Sequence, residues 1–240
     1  MKKIIKPIIA IFSAAILMLP SMAMAQETNV EKTIPKIFSE QSLALEKINQ
    51  KIESRQTIQE TETILNQPIE ETYSYTHSDG GITTVTMHSI IVPAGEEENV
   101  ILNTDGSYSL KENKNTLVPE KAEKEKEVTK YQSGEVRGTY LTSHYTQKIY
   151  GKWTYIHGKT GSLKNPGHNS PPTASGGIGM EVGEPKAFTT MLSGKSAAHI
   201  GSTCKFTLKG GNLIIFSKDH RAVLVVDING NYRFVDDSPL

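Results

Sequence analysis

The feature that most limits what this chain can fold into is a series of tight-turn signals set between runs rich in β-branched and aromatic residues. Ser78-Asp79-Gly80-Gly81, Asp105-Gly106, Gly210-Gly211 and Asn229-Gly230 each separate two such runs. Such dipeptides supply the positive φ that a two-residue hairpin turn demands, so the expected connectivity is antiparallel. Around the first two turns, "ETYSYTH", "ITTVTMHSIIV" and "NVILNTDGSYSL" predict a meander of about four strands over residues 71–110. Beyond residue 136, "RGTYL", "HYTQKIYGKWTYIHG", "AFTTML", "HIGSTCKFTL", "NLIIFS", "RAVLVVDI" and "NYRFV" predict short strands of a sandwich or barrel. Residues 158–186, rich in Gly, Pro and Ser, read as long surface loops.

One helical pattern precedes the strands. Phe38, Leu45 and Ile52 lie seven apart with Ile48 on the same face, Ser39 is placed to cap, and Glu40 suits the first turn. The stretch to about Gln67 is expected to be one long or two broken helices packed on a sheet. The fold class is therefore α+β: an N-terminal helix plus a small antiparallel meander, then a mainly antiparallel sandwich- or barrel-like domain. Residues 100–110, "VILNTDGSYSL", echo residues 224–234, "LVVDINGNYRF". A hairpin solution used twice accounts for the echo.

The chain opens with "MKKIIKPIIAIFSAAILMLPSMAMA": three lysines, an apolar run and Ala-Met-Ala before Gln26. This is the pattern of a secretory signal peptide cleaved after Ala25. Pro7 and Pro20 bracket an apolar stretch too brief to span about 30 Å of hydrocarbon comfortably. A secreted protein without stable membrane insertion is expected. A lone cysteine, Cys204, excludes an internal disulfide and a Cys-rich metal site. The seven histidines, His77, His88, His144, His157, His168, His199 and His220, show no ligand spacing, so neither metal nor cofactor is expected.

Charge is unevenly placed. Residues 26–135 hold 11 Lys/Arg and 20 Asp/Glu, a balance of −9, whereas residues 136–240 hold 12 and 6, a balance of +6. "KENKNTLVPEKAEKEKEVTKYQSGEV" between them is polar and alternating in sign, and reads as a linker. The expected layout is signal peptide 1–25, acidic helix-plus-meander region 26–110, charged linker 111–135 and basic β-rich domain 136–240. An acidic segment joined to a basic one suggests a prosegment, released by cleavage near Arg137, masking a bacteriocin-like effector.

Three constellations could carry function. Two-residue turns at Asn229-Gly230 and Gly210-Gly211 would bring Cys204, His220 and Asp236 or Asp237 toward one end of a meander, with Cys204 facing Ser217. A thiol, an imidazole and a carboxylate are the parts of an acyl-transfer site. Over about twenty residues, the His–strand–turn–strand–Asp order resembles the second half of papain-like peptidases, which implies a Cys/His/Asp hydrolase. Those enzymes carry the cysteine at a helix N-terminus, whereas the alternation in "HIGSTCKFTL" buries Cys204 in a strand. The second constellation is residues 137–159, where Tyr140, Tyr145, Tyr150, Trp153 and Tyr155 interleave with Arg137, Lys148, Lys152, Lys159, His144 and His157. Aromatic faces between cations suit sugars or polyanions. The third is loop 158–175, a candidate bait for a protease inhibitor. The expectation is a secreted, non-enzymatic protein whose basic β-domain binds an anionic cell-wall polymer or polysaccharide, with no nucleic-acid partner.

Overall fold

The structure, a computed structural model, describes residues 42–56, 64–78, 80–111, 120–121, 125–140 and 143–236. Helix α1 covers residues 42–56. The strands are β1 (Ile64–Leu65), β2 (Ile69–Thr76), β3 (Ile82–Pro93), β4 (Val100–Leu102), β5 (Tyr108–Leu110), β6 (Glu120–Lys121), β7 (Glu127–Tyr140), β8 (Ser143–Ile156), β9 (Lys164–His168), β10 (Thr173–Gly176), β11 (Met180–Val182), β12 (Lys186–Met191), β13 (Ala197–Gly210), β14 (Leu213–Asp227) and β15 (Tyr232–Asp236). Every recorded pairing is antiparallel. The α+β class with mainly antiparallel sheet is what the turn signals imply.

Two sheets carry the architecture. The first runs β10-β8-β7-β3-β2 with β9 also on β8, and the second runs β11-β13-β14-β15 with β12 also on β13. Neither closes into a barrel. Their inner faces share one core, to which β3 gives Val85 and Met87, β8 gives Ile149 and Trp153, and β13 to β15 give Ile200, Leu224 and Phe234. The ring of Phe234 occupies the space that a side chain at Gly134 would need, because a Cβ there would come within 2.4 Å of it.

Strand β7 is buried on both sides. Val128 and Val136 face the shared core, while Tyr131 joins Ile90, Val92 and Tyr108 in a second cluster beneath the β4–β5 hairpin. That hairpin forms its own two-stranded sheet. The expected four-strand meander is therefore two pieces, one within the main sheet and one lying over it. Part of the expected linker, residues 127–135, is strand, because its Val, Tyr and Gly face apolar neighbours rather than water. It pairs with β3 on one side and β8 on the other, and the described residues from 42 to 236 belong to one compact unit. The two domains expected on either side of residues 111–135 are thus one body. Cleavage at Arg137 would cut inside β7, at a residue that pairs with Thr84 of β3 on one side and Thr146 of β8 on the other. Ala25 lies outside the described residues.

Three of the four turns are one residue longer than expected. His77 faces Gly81, Asn103 faces Ser107, and Asp227 faces Asn231, so each loop has three residues with glycine third. A type I turn followed by a left-handed residue has this form. Gly230 (φ +75°) is required twice over: a Cβ there would also meet the Tyr155 hydroxyl at 2.3 Å. Asp227 secures its loop by accepting from Asn229 N at 2.8 Å and Asn231 N at 2.9 Å. The 100–110 and 224–234 segments resemble each other because both contain this loop. The last turn lies at Gly211-Asn212, a residue further on than expected, and β14 is one strand where two were expected.

Helix α1 buries Leu45, Ile48 and Ile52 of the expected stripe; Phe38, Ser39 and Glu40 lie outside the described residues, and the helical stretch expected to about Gln67 gives way to strand at Ile64–Leu65. A helix of this length is marginal alone, and each aliphatic side chain so buried contributes about 1.5–3 kcal/mol, so packing rather than propensity holds it. It also closes a sheet edge. β15 has β14 on one side only. On the other side Asn49 Nδ2 donates to Phe234 O at 2.6 Å, Asn49 Oδ1 accepts from Phe234 N at 3.0 Å, and Gln56 Nε2 donates to Tyr232 O at 3.1 Å. The Asn49 amide does for Phe234 what a neighbouring strand would do. Asn49→Ala leaves a buried N–H and C=O unpaired and should cost about 1–3 kcal/mol in urea unfolding, whereas Gln56→Ala, nearer solvent, should cost less than about 1 kcal/mol.

Candidate functional site

The longer turns re-aim the constellation around His220. Ala222 faces Asp236, one residue away from the partner that a two-residue turn would give it, and Asp237 is outside the described residues. In the neighbouring hairpin the turn at Gly211-Asn212 and a register shift between Leu208 and Lys209 together bring Cys204 directly opposite His220, where Ser217 was expected. The two candidate groups are therefore cross-strand neighbours.

Their partners are nevertheless structural. His220 is buried, its ring lying 5.4 Å from Tyr145 and 6.0 Å from Phe206 between centroids. Its Nδ1 is 2.5 Å from Gln147 Oε1, while Gln147 Nε2 donates to Ser202 O at 3.0 Å and Ser202 Oγ at 2.6 Å. An amide whose nitrogen is so engaged has its oxygen left to accept, so His220 Nδ1–H is the donor. Gln147 thus ties the first sheet to the second. Cys204 donates its thiol hydrogen to Gly183 O at 3.0 Å. Burial, and then the charge of Asp219, push that thiol up to about 11. A nucleophilic cysteine needs the opposite environment, one that favours thiolate. In the folded protein iodoacetamide should leave Cys204 untouched near neutral pH and should modify it fully once urea unfolds the chain; a fast folded-state reaction, read by intact mass, would contradict this.

The aromatic stretch 137–159 is corrected by β8. Odd-numbered positions face the core: Tyr145 packs on Phe206, and Trp153 and Tyr155 are fully buried. Trp153 Nε1 donates to Asp227 O at 3.1 Å. Tyr150 lies on the other face but beneath the loop at Gly106. Lys148 is bound to Glu135 at 2.7 Å and to Asp105 O at 3.2 Å, while Lys152 and His157 are half-buried. Tyr140 is placed by its backbone opposite Ser143. Among the described side chains no exposed aromatic platform results, because Tyr145, Trp153 and Tyr155 fill the space between the sheets and Tyr150 is covered by the loop at Gly106. The 158–175 loop is also less free than expected, since β9 and β10 both pair with β8. No group of three or more His, Cys, Asp or Glu side chains among the described residues could hold a metal ion.

The structure reveals two groupings that the residue pattern did not. The first is internal. Lys130, on the core face of β7, donates from Nζ to Gly230 O at 2.8 Å and lies 4.7 Å from the Tyr232 ring centroid and 5.8 Å from that of Trp153. Nearby, Glu71 accepts from Tyr232 OH at 2.6 Å and Tyr73 OH at 3.2 Å, and pairs with Arg55 Nε at 3.2 Å. Desolvation lowers Lys130 from 10.5 to about 8, against the pull of Glu71 and Asp227. A folded-state value below the unfolded one means that the unfolded chain holds more proton between those two values. Stability must then climb as pH rises from about 8 toward 10.5. Relative to Lys130→Met, the wild-type protein should gain about 3 kcal/mol over this range in denaturation at stepped pH.

The second grouping is external. The β12–β13–β14 register aligns Lys186, Thr203 and Arg221 in one row on the outside of the second sheet, and Lys205, facing Asp219, lies next to it. Lys186 and Lys205 are exposed, and the Arg221 guanidinium lies 4.5 Å above the Phe188 ring, which covers Gly201. Residues from two non-adjacent segments meet here, so the row exists only once the pairing is known. Comparison of the chain with protein-family models, curated proteins and solved structures finds no match, and function is argued from this surface alone.

Proposed function

We propose that this is an exported, non-enzymatic β-sandwich protein that binds an anionic component of the cell envelope through the cationic outside of its second sheet. The row of Lys186, Arg221 and Lys205 carries the reading. The C-terminal half has a surplus of +6. Its largest aromatic groups are spent on the core, so charge rather than stacking is left to meet a ligand. Residues 1–25 supply the export signal, with cleavage after Ala25. The acidic half then travels as part of the same folded body, and antibacterial action would follow from the same envelope contact.

The test uses the whole mature chain, since residues 136–240 alone lack β2 and β3. Binding to immobilised teichoic acid and to peptidoglycan should fall steeply with salt, as exposed cations require. Lys186→Glu with Lys205→Glu should weaken it about tenfold or more while thermal unfolding is unchanged. Equal binding by wild type and double variant would refute the reading.

A further inference from the structure

Beyond the β4–β5 hairpin the outside of the first sheet is a face of hydroxyls around one arginine. Val136 faces the core, so Arg137 points outward. The registers carry its row across five strands: Ser74 of β2, Thr84 of β3, Arg137 of β7, Thr146 of β8 and Ser175 of β10. Ser74, Arg137 and Ser175 are exposed, and Thr84 and Thr146 are half-buried. With about 4.8 Å between strands, the row is roughly 19 Å long. The row beside it reads Thr72, Thr86, Glu135, Lys148 and Thr173.

Arg137 is the uncommitted charge of this face. Among the described residues its guanidinium has no ion pair or hydrogen bond, and the Thr146 and Ser175 hydroxyls have no partner. Ser74 and Thr84 bond each other at 3.1 Å, as Thr72 and Thr86 do at 3.2 Å, which leaves each pair one hydroxyl hydrogen to donate. The nearby acids are occupied or remote. Glu135 is held by Lys148 at 2.7 Å, and the Asp105 carboxylate accepts from Ser107 N at 2.9 Å and Ser107 Oγ at 2.7 Å. Glu70 lies two rows away, 4.0 Å from His88.

A free guanidinium with hydroxyls in line on both sides suits an anionic oxygen group at its centre and further oxygens alongside. Among the described side chains no tyrosine, tryptophan or phenylalanine is exposed on this face, so a chain of sugar rings has nothing to stack on. A chain of polyols joined through phosphates needs no stacking. Its phosphate can take the fork of the guanidinium, and its other oxygens the hydroxyls.

We propose that this face is a second docking surface, centred on Arg137, for a polyol-phosphate polymer, and that one molecule bridges two polymer strands. The proposal rests on the envelope-binding reading and names the anionic component. The two surfaces lie on the outsides of sheets that share one core, so Arg137 and the row of Lys186 and Arg221 face away from each other.

The full mature protein is titrated by calorimetry with short, lipid-free glycerol phosphate oligomers, and light scattering is followed with long teichoic acid. Wild type should take two oligomers per chain and scatter strongly with the long polymer, an effect that excess polymer reverses. Arg137→Gln should take one oligomer and lose the scattering, with thermal unfolding unchanged because the side chain is exposed. Lys186→Glu with Lys205→Glu should also take one, at Arg137. A single oligomer per wild-type chain, or scattering that survives Arg137→Gln, overturns the second surface and leaves envelope binding at the second sheet standing. Hyaluronate, whose carboxylates sit on sugar rings, should not displace the oligomer that Arg137→Gln loses; displacement overturns the choice of a polyol phosphate. No binding of oligomer or teichoic acid by wild type strikes the broader reading together with this one.

Discussion

Strand β7 is the constraint on which the rest of the structure depends. It is hydrogen-bonded along its length to β3 and β8, and both of its faces are covered in its middle, one by the second sheet and the other by the β4–β5 hairpin. A strand without a wet face cannot be exchanged for a linker. It joins an acidic half and a basic half that would otherwise have no reason to share a core. The electrostatic asymmetry is therefore a property of one body, with opposite signs contributed by strands of a common sheet.

Inside that body, polar groups specify as much as they stabilise. Lys130 and Glu71 are costly to bury; Glu71 is matched by two tyrosine hydroxyls and Arg55, and Lys130 by Gly230 O and the faces of Tyr232 and Trp153. Gln147 reaches from the first sheet to Ser202 and His220 of the second. Apolar side chains alone could slide between two flat faces. These bonds admit one alignment.

Much of this was legible in residue order, and the failures have a common cause. Turn glycines, strand-rich composition and the Leu45–Ile48–Ile52 stripe located the hairpins and the helix, since local chemistry decides those. What went astray was register. Reading Asn229-Gly230 as the whole turn, rather than as the end of a three-residue loop, moved every cross-strand partner by one and misplaced Asp236 and His220. The same limit hid the row of Lys186 and Arg221 on either side of Thr203, because it depends on two separate pairings. The tyrosines of 137–159 were visible, but which face they took was not, and Trp153 went inward because β8 lies under the second sheet. Lys130 was missed for a simpler reason: its surroundings in the sequence are so rich in charge that the strand looked like solvent-facing chain.

The seating of Asn49 on Phe234 bears on when the molecule can become whole. Those residues are 185 positions apart, so helix α1 waits for almost the final strand to arrive. Until then the outer edge of Phe234 has no helix against it, and helix α1 has nothing to settle on. A polypeptide wired this way closes its core late, because a contact between distant parts of the chain must form before either part is held.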